Sequence, residues 1–290
     1  MRLLVKFNLI FIVAFGLGLV ATGYVARQFL QEGARQQVLQ QARLMMEITG
    51  STRTYTSTQI RPLLEVRQRR EKAFFPQTVP AYAATQIFTY LRTHFPAYTY
   101  KEATLNPTNL ADRAVDWETD VIDVFRNDPR RAELVGQRST PTGESLYLAT
   151  PLRADAACLV CHSTPKVAPA AMVKLYGPDH GFGWKNGETV AARIVAVPMS
   201  VPVAMADRAF RDLMLWLAAI SVCTLLLLNL ALVFTVIRPV TRMSAAADAI
   251  SRGDLDVPEL PVRGSDEIAT LASSFNRMHR SLSKAMALLG

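Results

Sequence analysis

Two uncharged stretches constrain this chain before anything else does. Phe7 to Tyr24 carries no charged residue, and neither does Leu213 to Ile237. A helix needs about 20 apolar residues to cross the hydrocarbon core of a bilayer, and both runs reach that scale. Arg2 and Lys6 stand before the first, and Arg238 and Arg242 follow the second. Basic residues concentrate on the cytoplasmic side of spanning helices, so both chain ends are expected in the cytoplasm and everything between the runs outside it. The first run could be read as a signal peptide, but Tyr24-Val25-Ala26 is a poor small-x-small cleavage site. An uncleaved anchor is expected. The formal net charge of +8 then reflects topology and a solvated surface; no nucleic-acid motif accompanies it, and no nucleic-acid partner is expected.

The resulting layout is a short cytoplasmic N-terminus (1–6), a first span (7–24), an extracytoplasmic domain (25–212), a second span (213–237) and a cytoplasmic tail (238–290). In a bacterium this is a two-pass protein of the inner membrane with its large domain in the periplasm.

That domain contains Cys158-Leu159-Val160-Cys161-His162. Two cysteines two residues apart, followed directly by histidine, form the attachment signature of a c-type haem. Each sulfur adds across one vinyl group on the same edge of the porphyrin, and the adjacent histidine becomes the proximal iron ligand. One covalent haem c on Cys158 and Cys161, with His162 on the iron, is expected. The competing readings fare worse. A thioredoxin-like dithiol belongs to a different fold context. A structural zinc site needs four ligands, and the chain has no second Cys-x-x-Cys. A disulfide closing so small a loop would gain little. The third cysteine, Cys223, lies within the second span and reads as a packing residue, so no extracytoplasmic thiolate remains for the iron.

The sixth ligand decides between a closed redox centre and an open gas-binding one. His180, Met172, Met46, Met199 and His94 are the chemically competent candidates. Trp184, Trp117 and Phe182 are expected near the porphyrin or in the core, and Arg61 or Lys185 could pair with the propionates.

Patterning places these residues on an α+β framework. Val25 to about Arg70 has the composition of one long helix, with Val38, Leu44, Met45 and Ile48 as a buried stripe. Further helices are expected at Ala83–His94 and Trp117–Arg126. Strands are expected at Tyr98–Leu105, Ser145–Leu152 and Val190–Pro198, forming a mixed sheet. Thr140-Pro141-Thr142-Gly143 reads as a hairpin turn. In the tail, Val240, Met243, Ala247 and Ile250 recur at three- and four-residue spacing, and Ile268, Leu271, Phe275, Met278 and Leu282 repeat it after a connector. Two such short seams are buried most simply by a second copy.

The tail resembles a HAMP linker. The likeness is carried by Arg238-Pro239-Val240, Gly253-Asp254-Leu255, Asp266-Glu267-Ile268, and Leu271 with Phe275-Asn276-x-Met278. It implies a parallel four-helix bundle in a homodimer. The extracytoplasmic part is similar to a family of haem-c-binding, PAS-like sensor domains. Here the likeness rests on Tyr55-Thr56, Ile60-Arg61-Pro62-Leu63-Leu64, Leu105-Asn106-Pro107-Thr108-Asn109, Asp116-Trp117-Glu118, the cysteine motif, Ala168-Pro169, Gly181-Phe182-Gly183-Trp184-Lys185 and Val197-Pro198-Met199. That resemblance implies a PAS-like sheet around one haem, joined to HAMP and signalling modules. The expected function is a membrane sensor that passes haem redox state or gas ligation to the tail, acting on a separate cytoplasmic signalling protein. The alternative is a membrane-tethered monohaem cytochrome that carries electrons. No acid–base or nucleophilic constellation points to an enzyme.

Overall fold

The computed structural model describes residues 3–141 and 143–289; Met1 and Arg2 of the basic N-terminus, and Thr142 of the expected turn, lie outside them. The chain divides into two compact units, residues 29–208 and residues 1–28 with 209–290.

The first unit is built on a four-stranded sheet of order β1-β4-β3-β2, every neighbouring pair antiparallel. The strands are β1 (Thr99–Thr104), β2 (Leu134–Thr140), β3 (Gly143–Arg153) and β4 (Thr189–Pro198). The expected mixed sheet is therefore an antiparallel one, and β2 is a strand that patterning did not reveal. The central strand β4 is buried on both faces. Its side chains alternate, so Val195 and Val197 face one layer while Ala192 and Ile194 face the other.

On the first face lie α1 (Leu3–Tyr55) and α3 (Pro80–Leu91). Val38, Ala42 and Met46 of α1, with Ala84 and Phe88 of α3, pack on Tyr100, Leu146 and Leu148. Of the expected α1 stripe, Val38 is buried and Met45 packs against this cluster, but Leu44 and Ile48 are exposed. The stripe runs through Ala42 and Met46 instead, because those residues share the helix face of Val38. On the second face lies α4 (Asp116–Asn127), which inserts Val121, Ile122 and Phe125 against Ala103, Ala149 and Ile194. Ile122 and Phe125 are completely buried, and each such side chain contributes about 1.5–3 kcal/mol through burial.

The long helix passes Pro62 without ending. A five-residue π-helical segment, Thr56–Ile60, joins α1 to α2 (Arg61–Glu71). Pro62 has no N–H to donate back to Thr58, and its ring crowds that carbonyl; a widened turn accommodates it.

The second unit contains the apolar part of α1, α7 (Ser200–Leu232) from Ala209 onward, and helices α8 (Arg238–Ser251) and α9 (Glu267–Leu289). Both α1 and α7 are long and apolar enough to cross a membrane. Their apolar side chains face outward: Val20 is 72% exposed and Trp216 70%, where a core helix of a soluble protein would bury them. Asn229 Nδ2 donates to Asn8 Oδ1 at 2.7 Å. A Cβ placed on Gly23 would meet the Met214 side chain at 3.3 Å. Pairing 8 with 229 and 23 with 214 is the pattern of two antiparallel helices.

A second π segment, Val233–Ile237, joins α7 to α8 and again precedes Arg-Pro, here Arg238-Pro239. Met243, Ala246 and Ile250 of α8 are buried, as are Ala269 and Ala272 of α9. Ala246 takes the position expected for Ala247. The connector is strapped to α9 by Asn276, whose side chain accepts from Leu260 N–H at 2.9 Å and donates to the Leu260 carbonyl at 2.8 Å. Leu271, Met278 and Leu282 remain exposed in the single chain, at 53%, 57% and 41%.

Candidate functional site

The cysteine motif forms its own short helix, α5 (Ala156–His162), immediately after β3. Asp155 caps it, its side chain accepting from Cys158 N–H at 2.9 Å, which satisfies one of the free donors at the helix start. Bonds from the Cys158 thiol and then from its backbone N–H hold the Asp155 carboxyl below its usual range. Cys158 and Cys161 are three residues apart and so share a helix face. Both are free thiols. Burial pushes both upward; at Cys161 the nearby Arg61 charge partly opposes this. Neither is the low-pKa thiolate of a redox or nucleophilic cysteine. Among the described residues no cluster of three or more His, Cys, Asp or Glu could hold a metal ion.

Cys158, Cys161 and His162 line one cavity of about 360 Å³. Apolar walls come from Phe74, Val79, Met172 and Trp184, and Arg53 and Arg61 supply cationic groups. The size falls within the range of cofactor pockets. Trp184 stacks on the His162 ring, centroids 4.0 Å apart and planes within 13°.

His162 is oriented by backbone. Its Nδ1 lies 2.7 Å from the Gly181 carbonyl and 3.4 Å from Thr108 Oγ1. A carbonyl only accepts, so Nδ1 carries the hydrogen. Burial lowers the His162 pKa, the Gly181 bond opposing it, so the ring is neutral at pH 7 and its Nε2 lone pair is free. A donor bond from one ring nitrogen to a carbonyl is how metal-bound histidines are commonly fixed. The carbonyl is itself pinned. Gly181 N–H donates to Asn106 Oδ1 at 3.1 Å, and Asn106 Nδ2 donates to the Phe182 carbonyl at 3.2 Å. Gly181 has φ +81°, and a Cβ there would fall 2.0 Å from Thr108 Oγ1 and 2.8 Å from its Cα and N. Only glycine fits.

The cavity wall also holds a charged cluster. Arg53 Nη1 reaches both oxygens of Glu102, at 2.5 and 2.7 Å, and Tyr100 Oη donates to the same carboxylate at 2.7 Å. Burial works against the Arg53 charge, but the Glu102 carboxylate raises its pKa overall. Burial, then the Glu102 charge, pushes the Tyr100 hydroxyl far up.

Of the five sixth-ligand candidates, Met172, on α6 (Ala170–Tyr176), lines the cavity. Met46 and Met199 belong to the core between the sheet and α1, where Met46 sulfur accepts from Thr150 Oγ1 at 3.6 Å. His94 is exposed beyond the end of α3, and His180 is half-buried in the loop after α6, outside the cavity lining. Trp117 lies against Tyr147 and under Arg138, in a separate open groove. Lys185 is exposed, whereas Arg61 lines the cavity. Asn106, Thr108, Arg53 and Glu102 were not singled out as site residues by their chemistry, since a polar residue in a turn or strand carries no pattern of its own. Asp155 could have been found as a capping residue before a short helix.

Two family models match the chain. The Tll0287-like family matches residues 30–198, and the HAMP domain matches residues 231–284. The signal transduction histidine-protein kinase/phosphatase MprB of Mycobacterium avium (strain 104) is 47% identical over 49 residues, which is 17% of this chain and 9% of that protein. The protein of the same name from Mycolicibacterium paratuberculosis (strain ATCC BAA-968 / K-10) gives the same figures. The chain thus spans less than a tenth of the length of these curated relatives. Among solved structures, the cyanobacterial heme-protein Tll0287 is 13% identical with a TM-score of 0.42, covering 55% of this chain and 94% of that one. With more than half of its length matched by that family, the chain belongs to the Tll0287-like family and carries a HAMP domain beyond its second apolar helix.

Proposed function

We propose that this protein is a membrane-bound sensor whose extracytoplasmic domain, about residues 25–212, carries one covalent haem c. Cys158 and Cys161 would hold the porphyrin and His162 Nε2 the iron. The observation that carries this reading is the His162 ring, neutral, bonded through Nδ1 to Gly181 and sharing one cavity with both thiols. The haem would supply a one-electron redox centre or a gas-binding iron. The protein's part is to orient His162 through Gly181 and Trp184, to offer Met172 as the sixth ligand, and to offer Arg61 to the propionates. A change at the cavity would pass along the segment from β4 into α7 and reach the HAMP helices. The exposed seam of Leu271, Met278 and Leu282 favours a homodimer there, acting on a separate cytoplasmic signalling protein. Spans at 7–24 and 213–237 in a bacterial inner membrane, with the sensor in the periplasm, fit the basic flanks.

Haem staining on a denaturing gel tests the attachment: the wild type should stain, and the variant carrying Cys158→Ala and Cys161→Ala should not. Staining that persists in the double variant refutes it. An absorption spectrum unmoved by CO, becoming CO-sensitive in Met172→Ala, would favour redox sensing over gas sensing. Deleting residues 239–290 separates sensor from electron carrier. A sensor loses its cellular output with its haem intact, whereas a carrier keeps its electron transfer.

A further inference from the structure

We propose that Asp112 is a redox-linked proton-binding site, taking up one proton from water when one electron enters the cavity's haem and releasing it on reoxidation. This rests on the haem reading above and adds the regulation of that site. The reduction balances simply: ferric iron gains one electron from an external reductant, and the Asp112 carboxylate gains one proton to become the neutral acid.

Asp112 ends a short 3-10 turn, Leu110–Asp112, and lines the same cavity as Cys158, Cys161 and His162. Its carboxyl has no hydrogen bond or ion pair to any described residue, which sets it apart from the other acids of the wall. Glu102 is held by Arg53 and Tyr100, and Asp155 caps α5 at the surface.

The groups facing Asp112 leave it electrostatically poised. From β1, the negative charge of Glu102 disfavours its ionised form and Lys101 favours it. Lys101 is already engaged, its Nζ 2.7 Å from Glu118 Oε2 and 2.7 Å from the Arg113 carbonyl. From α6, Tyr176 interacts with Asp112, and Tyr82 of α3 lines the same cavity. Arg53 is committed to Glu102, and Arg61 donates through Nε to the Thr78 carbonyl at 3.2 Å. Burial, with Glu102 second, pushes the Asp112 carboxyl up to about 6. A unit of negative charge added about 10 Å away, at an effective dielectric of about 20, raises a carboxyl's proton affinity more than tenfold.

The test is a redox titration of the haem-loaded full chain in detergent, with dithionite as reductant, from pH 5 to pH 8. In the wild type the midpoint potential should fall as pH rises, the whole fall between pH 5 and pH 8 corresponding to the roughly tenfold change in proton affinity, or about 59 mV for a one-electron couple. Asp112→Asn should flatten that slope, and Asp112→Glu should restore it. A flat wild-type profile overturns the proposal, and so does a slope that survives in Asp112→Asn. A wild-type protein without haem staining refutes the reading beneath, and this proposal with it.

Discussion

Replacing Glu102 with alanine strands a buried cation. The Arg53 side chain is 24% exposed and that of Glu102 8%, and the pair is completed by the Tyr100 hydroxyl. Removing one member of a buried ion pair costs about 3–5 kcal/mol, because the remaining charge has lost its compensation. The orphaned Tyr100 hydroxyl adds to this, though not additively, since it shares the same acceptor. We expect Glu102→Ala to destabilise the unit of residues 29–208 by about 4 kcal/mol. For a unit of this size that corresponds to a fall in Tm of about 8–16 °C. Arg53→Met combined with Glu102→Leu removes both charges and fills the space, so it should recover at least half of the loss. Thermal unfolding of the full-length protein in detergent, followed by circular dichroism, measures all three. The reasoning fails if Glu102→Ala melts within about 2 °C of the wild type, or if the double variant is no more stable than the single one.

Gly181→Ala should lower stability by at least about 2 kcal/mol, from the clash with Thr108 and the left-handed backbone together; Gly143→Ala, at φ +110° in open space, should lose only about 1 kcal/mol in the same denaturant titration. In haem-free protein the Asp112 carboxyl, raised from 3.8 to about 6, binds a proton more tightly folded than unfolded. Stability should therefore fall as pH rises from about 4 to about 6 and level off above. Asp112→Asn should remove that decline and be the more stable form at pH 7 by about 1 kcal/mol, a value reduced for partial exposure; equal slopes in both proteins would contradict it. In the membrane, Asn229→Leu removes a bond worth about 0.6–2 kcal/mol between the spans. Cysteines at positions 23 and 214, in a Cys223→Ala background, should then cross-link more slowly than in the chain that retains Asn229.

The elements that patterning located are those whose burial is one-sided or continuous. The strands at β1, β3 and β4 and the helices at α3 and α4 stand within a few residues of their expected places, because their apolar side chains follow a single period. β2 escaped because Gly136, Gln137 and Ser139 interrupt that period. Its glycine serves the neighbouring strand: a Cβ at Gly136 would fall 2.4 Å from the Tyr147 ring. Helix α5 was hidden for another reason. Seven residues carry too little periodicity to be told from a loop, although the cysteine motif within them was the most legible feature of the site. What surrounds that motif was not legible. The Gly181 carbonyl meets His162 across 19 residues and Asn106 meets Gly181 across 75, separations over which a sequence carries no local pattern. In the tail, Ala246 is buried and Ala247 exposed, because Ala246 lies three residues after Met243 and four before Ile250 and so shares their helix face.

The two π turns, Thr56–Ile60 and Val233–Ile237, each end in Ile and are followed by Arg-Pro. A π turn holds one residue more than the α turn it replaces. A residue in an α-helix turns the chain by about 100° and advances it about 1.5 Å, so each turn stores one such step of helical phase. Anyone splicing this chain onto a foreign cytoplasmic module therefore inherits a phase problem at the second junction. Fusions that keep Val233 to Pro239 should conserve the alignment of the helix that follows. Fusions that replace the segment with a straight helix should need one residue deleted to keep the output face in its original orientation.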